Sequence, residues 1–301
     1  MAAGRWSGSA WLLFAVVVVA WGFNYLVVKV GLGYATPLWL ATLRASVGAV
    51  AVLAVVSLQG NWGRLDGRGR RDALLLGVPN TALFFGLWFT AEEAVLPGLA
   101  AVVVYTFPLW VAVLSGPVLR HRVGARHWVS VAVGFLGIAL VSQIGEVGSG
   151  ALPLVPVAEL LLAAVAWAVG TVLMQRRFHR DELPEANAYQ LLGGSAALIV
   201  ATAALALYPT PRFSPVLGAT VLWTGVLGTA VAYSIWFYLL GRTRAATLSA
   251  YVFLVPVVAL LGSAIFFSER LTALQWVGVA FVFGGIYGIG RAPGALEEPA
   301  G

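Results

Sequence analysis

The chain contains one long stretch twice. Residues 81–138 fall on residues 229–286 when the sequence is shifted by 148 positions, without a gap. Sixteen of those 58 positions are identical, among them Trp88 and Trp236, Pro108 and Pro256, and Arg122 and Arg270. Chance pairing of apolar residues rarely supplies Trp, Pro and Arg together. A weaker echo precedes this stretch at an offset of 146, where Ala20-Trp21 meets Ala166-Trp167 and Arg44 meets Gln190. The chain is therefore a duplicated half, and any fold must accommodate the same unit twice.

The solvent of that unit follows from composition. Of the 301 residues, 60% are hydrophobic and only 10% charged, with a mean hydropathy of +0.92. A water-facing domain carries about 25% charged residues, so this chain is an integral membrane protein. Its net charge of +6 does not point to nucleic acid, because the basic residues sit in short loops, as membrane orientation requires. The absence of cysteine excludes disulfides, thiolate catalysis and Cys-based metal sites. The first apolar run, residues 10–30, follows a single Arg5 and is too long for a cleaved signal core, so it reads as a first span.

A helix needs about 20 apolar residues to cross a bilayer. That length divides the chain into ten spans, at 10–31, 37–58, 72–92, 97–119, 126–144, 153–175, 184–207, 215–240, 245–267 and 272–291. Thr36-Pro37 and Ser214-Pro215 have the form of an N-cap followed by proline at the first helical position. With the N-terminus inside, the inner segments hold 14 of the 18 Lys and Arg, and the outer loops only Arg212 and Arg270. This bias predicts both termini in the cytoplasm.

Five spans per half is an odd number, so the halves must cross the membrane in opposite senses. The expected fold is an all-α polytopic membrane protein of ten transmembrane helices, built as two inverted five-helix repeats. Residues 1–147 form the first, 148–292 the second, and 293–301 a disordered cytoplasmic tail. Inverted repeats are the architecture of many secondary transporters, with substrate held near the midplane between halves. They also occur in channels, so a passive facilitator is the alternative; nothing in the sequence has the form of a carbonyl filter or charged ring.

Candidate site residues follow from what lipid does not tolerate. Pro108 and Pro256 lie mid-span in the fourth helix of each half. A proline there removes a hydrogen bond and clashes with the carbonyl four residues back, Val104 or Val252. Such breaks face protein or a wet cavity, and matched breaks in both halves point to the binding site. Aromatic residues gather at similar depth: Trp21 and Tyr25 near Asn24, the run Phe84, Phe85, Trp88 and Phe89, Tyr105 beside Pro108, and Tyr251 before Pro256. Tyr233 and Trp236 occupy the matching helix of the second half, and Trp167 the position of Trp21. Taken singly, each reads as an interface anchor or core residue before a site residue, but mid-span Trp88 and Trp236 carry an indole N–H that needs a partner.

Lys29, Arg44 and Glu159 are the charges this division leaves within spans away from the span ends. Intramembrane charges are functional candidates by default, although Lys29 can snorkel and Glu159 can favour a helix N-terminus or pair with Arg44. Small residues spaced by four, such as Ala280, Gly284 and Gly288, read as packing surfaces. No enzyme emerges: His121, His127 and His179 are all in inner loops, and Gly193-Gly194-Ser195 lacks an in-membrane base. The reading calls for no cofactor.

Trp21-Gly22-Phe23-Asn24-Tyr25 with Lys29, then Pro37 and Arg44, resembles the opening of the EamA domain of the drug/metabolite transporter superfamily. Pro256, Ser268-Glu269-Arg270 and the Gly-rich last helix resemble its second copy. The likeness covers nearly the whole chain as two EamA domains and extends to YddG-type amino-acid exporters. It implies a ten-helix carrier that exports amino acids, their derivatives or similar amphipathic metabolites from the cytoplasm of a prokaryote. The partners it implies are a small molecule and the lipid bilayer, with no nucleic acid, for a monomer. The chain departs from the pattern where Arg120-His121-Arg122 replaces the usual acid. It also carries Trp21 and Trp167 where related four-helix multidrug exporters have a membrane carboxylate, so the resemblance supplies no acid for proton coupling. The expected site is an aromatic cavity centred near Pro108 and Pro256, to which Arg44 brings a guanidinium able to hold a carboxylate by two hydrogen bonds.

Overall fold

The computed structural model describes residues 8–119, 124–141, 154–205, 209–266 and 272–290. The junction expected at 147/148, the Arg120-His121-Arg122 and Ser268-Glu269-Arg270 turns and the tail 293–301 lie outside them. Among the described residues all regular structure is helical, as it must be where lipid offers the backbone no partner. The first half supplies α1 (Gly8–Leu32), α2 (Pro37–Leu58) and α3 (Gly67–Ala94). Next come α4, in two pieces (Pro97–Val104 and Phe107–Leu119), and α5 (Ala125–Val141). The second half repeats this with α6 (Leu154–Arg177), α7 (Leu183–Leu205) and α8 (Pro215–Leu240). It ends with α9, also in two pieces (Ala245–Tyr251 and Leu254–Phe266), and α10 (Ala273–Gly290).

Among the described residues, eight helices are long and apolar enough to cross a membrane. The other two, α5 and α10, are described over 17 and 18 residues. They pack on each other at Gly288, as expected, and at Gly285 rather than Gly284: a Cβ on Gly288 would clash with Ser130 Oγ, and one on Gly285 would lie 2.7 Å from Ser130 O and Gly134 N. Of the two expected caps, Ser214 Oγ accepts from Leu217 N at 3.1 Å, whereas Thr36 makes no side-chain cap.

The prolines break their helices as the sequence predicts. α4 is interrupted at Tyr105-Thr106 and α9 at Val252-Phe253. Tight turns replace the regular ladder, with Leu109 N on Thr106 O and Val255 N on Val252 O, both at 2.9 Å. A second matched irregularity was not legible. α3 widens into a π turn over Val78–Leu83 and α8 over Trp223–Val231; under the 148-residue shift the first falls on the last six residues of the second. Thr229 Oγ1 donates to Thr224 O at 2.9 Å and so satisfies a carbonyl within the widened turn. π turns of this kind recur at functional sites.

The halves interleave rather than sit side by side. Helix α1 packs on α8 and α9, and its counterpart α6 packs on α3 and α4. Helix α2 packs on α7 and α8, and its counterpart α7 on α2 and α3; α4 packs on α9, and α5 on α10. Each contact thus has its mate under exchange of halves. The Arg-rich loops meet at one end, hereafter the basic end. There Arg64 pairs with Asp181 at 3.4 Å and Arg177 with Asp72 at 2.6 Å, and Glu185 accepts from Arg64 N and Leu65 N at 2.7 and 3.1 Å. At the far end Arg212 N bonds Tyr34 O at 2.8 Å. Helix α3 starts at the basic end, and its counterpart α8 starts at the far end.

Candidate functional site

Trp167 is the hub of an aromatic cluster in mid-bundle. It stacks on Phe107 at 3.8 Å and Phe84 at 4.9 Å, and meets Trp21 edge-on at 5.3 Å. Tyr25 packs on Trp88 at 4.4 Å, and Trp236 lies 5.4 Å from Trp21. The cluster closes on a void of about 10 Å³ lined by Trp21, Tyr25, Arg44, Phe84, Trp88, Tyr105, Trp167 and Tyr233. Such a space holds about one water.

Arg44 supplies the charge of this void and is 1% exposed. Its Nε donates to Thr229 Oγ1 at 3.0 Å, its Nη2 reaches Gly228 O at 3.4 Å, and Nη1 has no partner. The guanidinium carbon lies 4.1 Å from the Phe85 ring centre and 5.1 Å from that of Trp88, close enough for cation–π attraction. The expected alternative partner, Glu159, is not bonded to Arg44 and is only half-buried; Arg44 is held by the π turn of α8 and by aromatic faces instead.

Buried polar atoms without partners crowd this place. They include both amide atoms of Asn24, Tyr233 Oη, and the Nε1 of Trp167 and Trp236. Buried polar groups are normally hydrogen-bonded, and leaving one unpaired costs about 1–3 kcal/mol, so the cluster holds unused hydrogen-bonding capacity. Asn24 rests against Gly228, where a Cβ would come within 2.2 Å of its amide. The Gly228 carbonyl also accepts Trp21 Nε1 at 3.0 Å.

The remaining expected residues fall elsewhere. Pro108 and Pro256 are buried just beyond the breaks they cause, and neither lines the void. Tyr251 meets Trp11 at 5.4 Å and Phe14 at 6.1 Å, towards the start of α1. Sequence reasoning missed Glu92, which it set at the edge of a span. The side chain is fully buried and accepts a hydrogen bond from Trp88 Nε1, while its other oxygen has no partner. Its place four residues after Trp88, one helical turn, was the available clue. Lys29 has a structural task beside it, donating to the carbonyls of Glu92, Glu93 and Val95 at 2.8, 3.2 and 2.9 Å.

A larger cavity of about 530 Å³ opens at the basic end between α2, α7 and α8, lined by Gln59, Arg64, Asn187, Ser234, Phe237 and Arg242 among others. Phe237, 6.1 Å from Tyr233, separates it from the central void.

The EamA-like transporter family matches this sequence twice, over residues 8–143 and 156–291. The "Uncharacterized transporter YvbV" of Bacillus subtilis (strain 168) is 27% identical over 275 residues, covering 90% of this chain and 88% of its own length. The "Probable amino-acid metabolite efflux pump" of Escherichia coli (strain K12) is 26% identical over 288 residues, covering 92% and 93%. The "Uncharacterized inner membrane transporter YedA" of the same strain is 27% identical over 277 residues, covering 90% and 86%. One crystal structure superposes with a TM-score of 0.76 over 94% of this chain and 96% of that one at 19% identity, a likeness of fold alone.

Proposed function

Because the chain belongs to the EamA-like transporter family, we propose that it is a secondary carrier that exports small amphipathic metabolites bearing a carboxylate. It works by alternating access between two inverted five-helix halves, as a monomer in the cytoplasmic membrane with both termini in the cytoplasm. The observation that carries this reading is Arg44, buried in an aromatic void with one guanidinium nitrogen unpaired. A planar fork of donors suits a carboxylate, and apolar rings suit the rest of an amphipathic molecule.

The basic-end cavity is the entry. Its arginines draw an anion from the cytoplasm, and displacement of Phe237 and Tyr233 admits it to the cluster. The cluster has room for about one water, which favours a carrier that rearranges over a channel that stands open. The name of the Escherichia coli relative, an amino-acid metabolite efflux pump, supports the direction and the substrate class.

Counterflow tests it. The purified chain is reconstituted into liposomes loaded with unlabelled amino acids or aromatic carboxylates, and uptake of the labelled compound is followed. A carrier shows transient accumulation driven by the unlabelled partner. Equal uptake into loaded and empty vesicles identifies a channel and ends the reading.

A further inference from the structure

The internal repeat identifies which intramembrane charges the fold requires. Lys29 and Gln175 occupy equivalent positions at the 146-residue offset. Lys29 Nζ caps the end of α3 through the carbonyls of Glu92 and Val95. Gln175 Nε2 caps the end of α8 through the equivalent carbonyls, Leu240 at 3.1 Å and Thr243 at 2.9 Å. The two helix ends are built alike, yet Glu92 in one is Leu240 in the other, and both side chains are fully buried. The packing task at this position is done by leucine, so the carboxyl of Glu92 is not needed for the fold. A buried carboxyl is costly unless paired, and this one has a single side-chain partner and one oxygen without any.

Trp88 connects that carboxyl to the central void. Its indole nitrogen donates to Glu92, and its ring lies 5.1 Å from the Arg44 guanidinium carbon and lines the void. In the other half the equivalent Trp236 has no partner for its indole nitrogen. The groups facing this region are Lys29 and Tyr25 from α1, Arg44 from α2, Tyr105 from α4 and Tyr233 from α8. Helix α6 brings Glu159 at its far-end start, and α7 brings Glu185 and Tyr189 at the basic end. On α3 itself Glu93 is exposed.

We propose that Glu92 is the proton-binding site of the transport cycle, taking up one proton as a substrate carboxylate binds Arg44 and releasing it when the substrate leaves. The inference rests on the carrier reading above. Its physical basis is a sign: Glu92 and a bound carboxylate are two anions served by one Trp88–Arg44 centre. Adding the second anion favours the neutral form of Glu92. Proton and carboxylate therefore bind together and cross together. A protonated Glu92 accepts more weakly from Trp88 than a carboxylate does, which frees the indole to move as the cluster opens.

Two measurements on the full chain test this. Infrared difference spectra between acid and alkaline pH should contain a carboxyl band that is absent from Glu92→Gln, a variant that keeps an acceptor for Trp88. If the Glu92→Gln spectrum retains every pH-dependent carboxyl band of the wild type, Glu92 does not titrate and the proposal is overturned, whatever the substrate. Calorimetry with phenylacetate, at a pH where the infrared titration shows Glu92 ionised beforehand and in buffers of different ionisation enthalpy, should give about one proton taken up per molecule bound, and none in Glu92→Gln. Binding without proton uptake by the wild type overturns the coupling and leaves the carrier reading intact. Should phenylacetate not bind, the infrared result alone decides whether Glu92 holds the proton.

Discussion

Two helix crossings in this molecule descend from one ancestor and have been put to different uses. Where α2 meets the π turn of α8, Arg44 bonds Thr229 at 3.0 Å. Where α7 meets the π turn of α3, the equivalent Gln190 bonds the equivalent Thr81, also at 3.0 Å. At each crossing an asparagine rests on a glycine, but the pair is exchanged. Asn24 of α1 lies on Gly228 of α8, and Gly170 of α6 lies against Asn80 of α3. The second crossing is nearly self-sufficient: Gln190 Oε1 also accepts from Asn80 at 3.3 Å, and its Nε2 donates to Asn187 at 3.1 Å. The first leaves Arg44 Nη1 and both Asn24 amide atoms unpaired. The backbone at both crossings solves the same packing problem; the first leaves three side-chain atoms unpaired, whereas the second leaves Asn80 Oδ1. Duplication supplied two equivalent frames, and charge was placed in one.

The largest effect should come from making the first crossing like the second. Arg44→Gln restores the Gln–Thr pair that already works at Gln190 and removes a buried charge whose desolvation is costly. The protein should fold with an unchanged or raised melting temperature in detergent. Counterflow of carboxylates should fall about 10- to 100-fold, the worth of hydrogen bonds to a charged group. The mirror change, Gln190→Leu, orphans Thr81, Asn80 and Asn187 and should cost about 1–3 kcal/mol of stability, with transport per folded molecule retained. Wild-type carboxylate counterflow in a folded Arg44→Gln protein removes the functional half of the comparison.

Much of this was readable beforehand, and the parts that were not share a cause. The duplication, several helix starts such as Pro37, Pro97 and Pro215, and the breaks after Val104 and at Val252 follow from residue identity and known local physics. So did the gathering of Trp21, Tyr25, Arg44, Trp88, Tyr105, Trp167 and Tyr233 as candidates, though not their arrangement. Helices that are apolar all round carry no stripe to say which face meets which neighbour. Hence the interleaving of halves and the hub at Trp167 are not legible, and the prolines mark the helix breaks rather than the lining of the void. The π turns leave no pattern in apolar sequence beyond the repeated Thr81 and Thr229. Glu92 was lost because a span end drawn by hydropathy falls at the very residue whose burial matters. Gly193-Gly194, unpromising as a nucleophile turn, is a packing device: a Cβ on Gly193 would lie 2.1 Å from Leu74 O.

The exchanged Asn–Gly pairs sharpen the comparison at intermediate size. Gly228→Ala places a methyl within 2.2 Å of Asn24, and Gly170→Ala places one 2.5 Å from Asn80 Cβ. Each overpacked crossing should lose about 1–3 kcal/mol. Adding Asn24→Gly to Gly228→Ala relieves the clash and should recover most of the melting temperature. If Asn24 serves the substrate, transport will not return with it, whereas Gly170→Ala should transport normally once folded. Full recovery of both stability and transport would assign Asn24 to packing alone.

The smallest effect tests the helix-end caps, where the two halves differ by one hydrogen atom. Gln175 does three things: its amide nitrogen serves two carbonyls of the α8 end, and its oxygen accepts Ala245 N at 2.9 Å. The residue equivalent to Ala245 is Pro97, which has no N–H to offer. A glutamine at position 29 would therefore keep its donors and strand its acceptor, whereas lysine carries donors only. This accounts for Lys29 without any role in transport. Lys29→Gln should cost about 1 kcal/mol, the lower end of the penalty for an unmet polar atom at a partly buried site. Pro97→Ala supplies the missing N–H, although losing proline at a first helical position costs about 0.4–1 kcal/mol by itself. The informative quantity is the interaction between the two changes in a double-mutant cycle read by detergent unfolding, expected at about 0.5–1 kcal/mol in favour of the pair. Strict additivity would mean that Lys29 is kept for its charge, and the separation of structural from functional charges in this half would have to be redrawn.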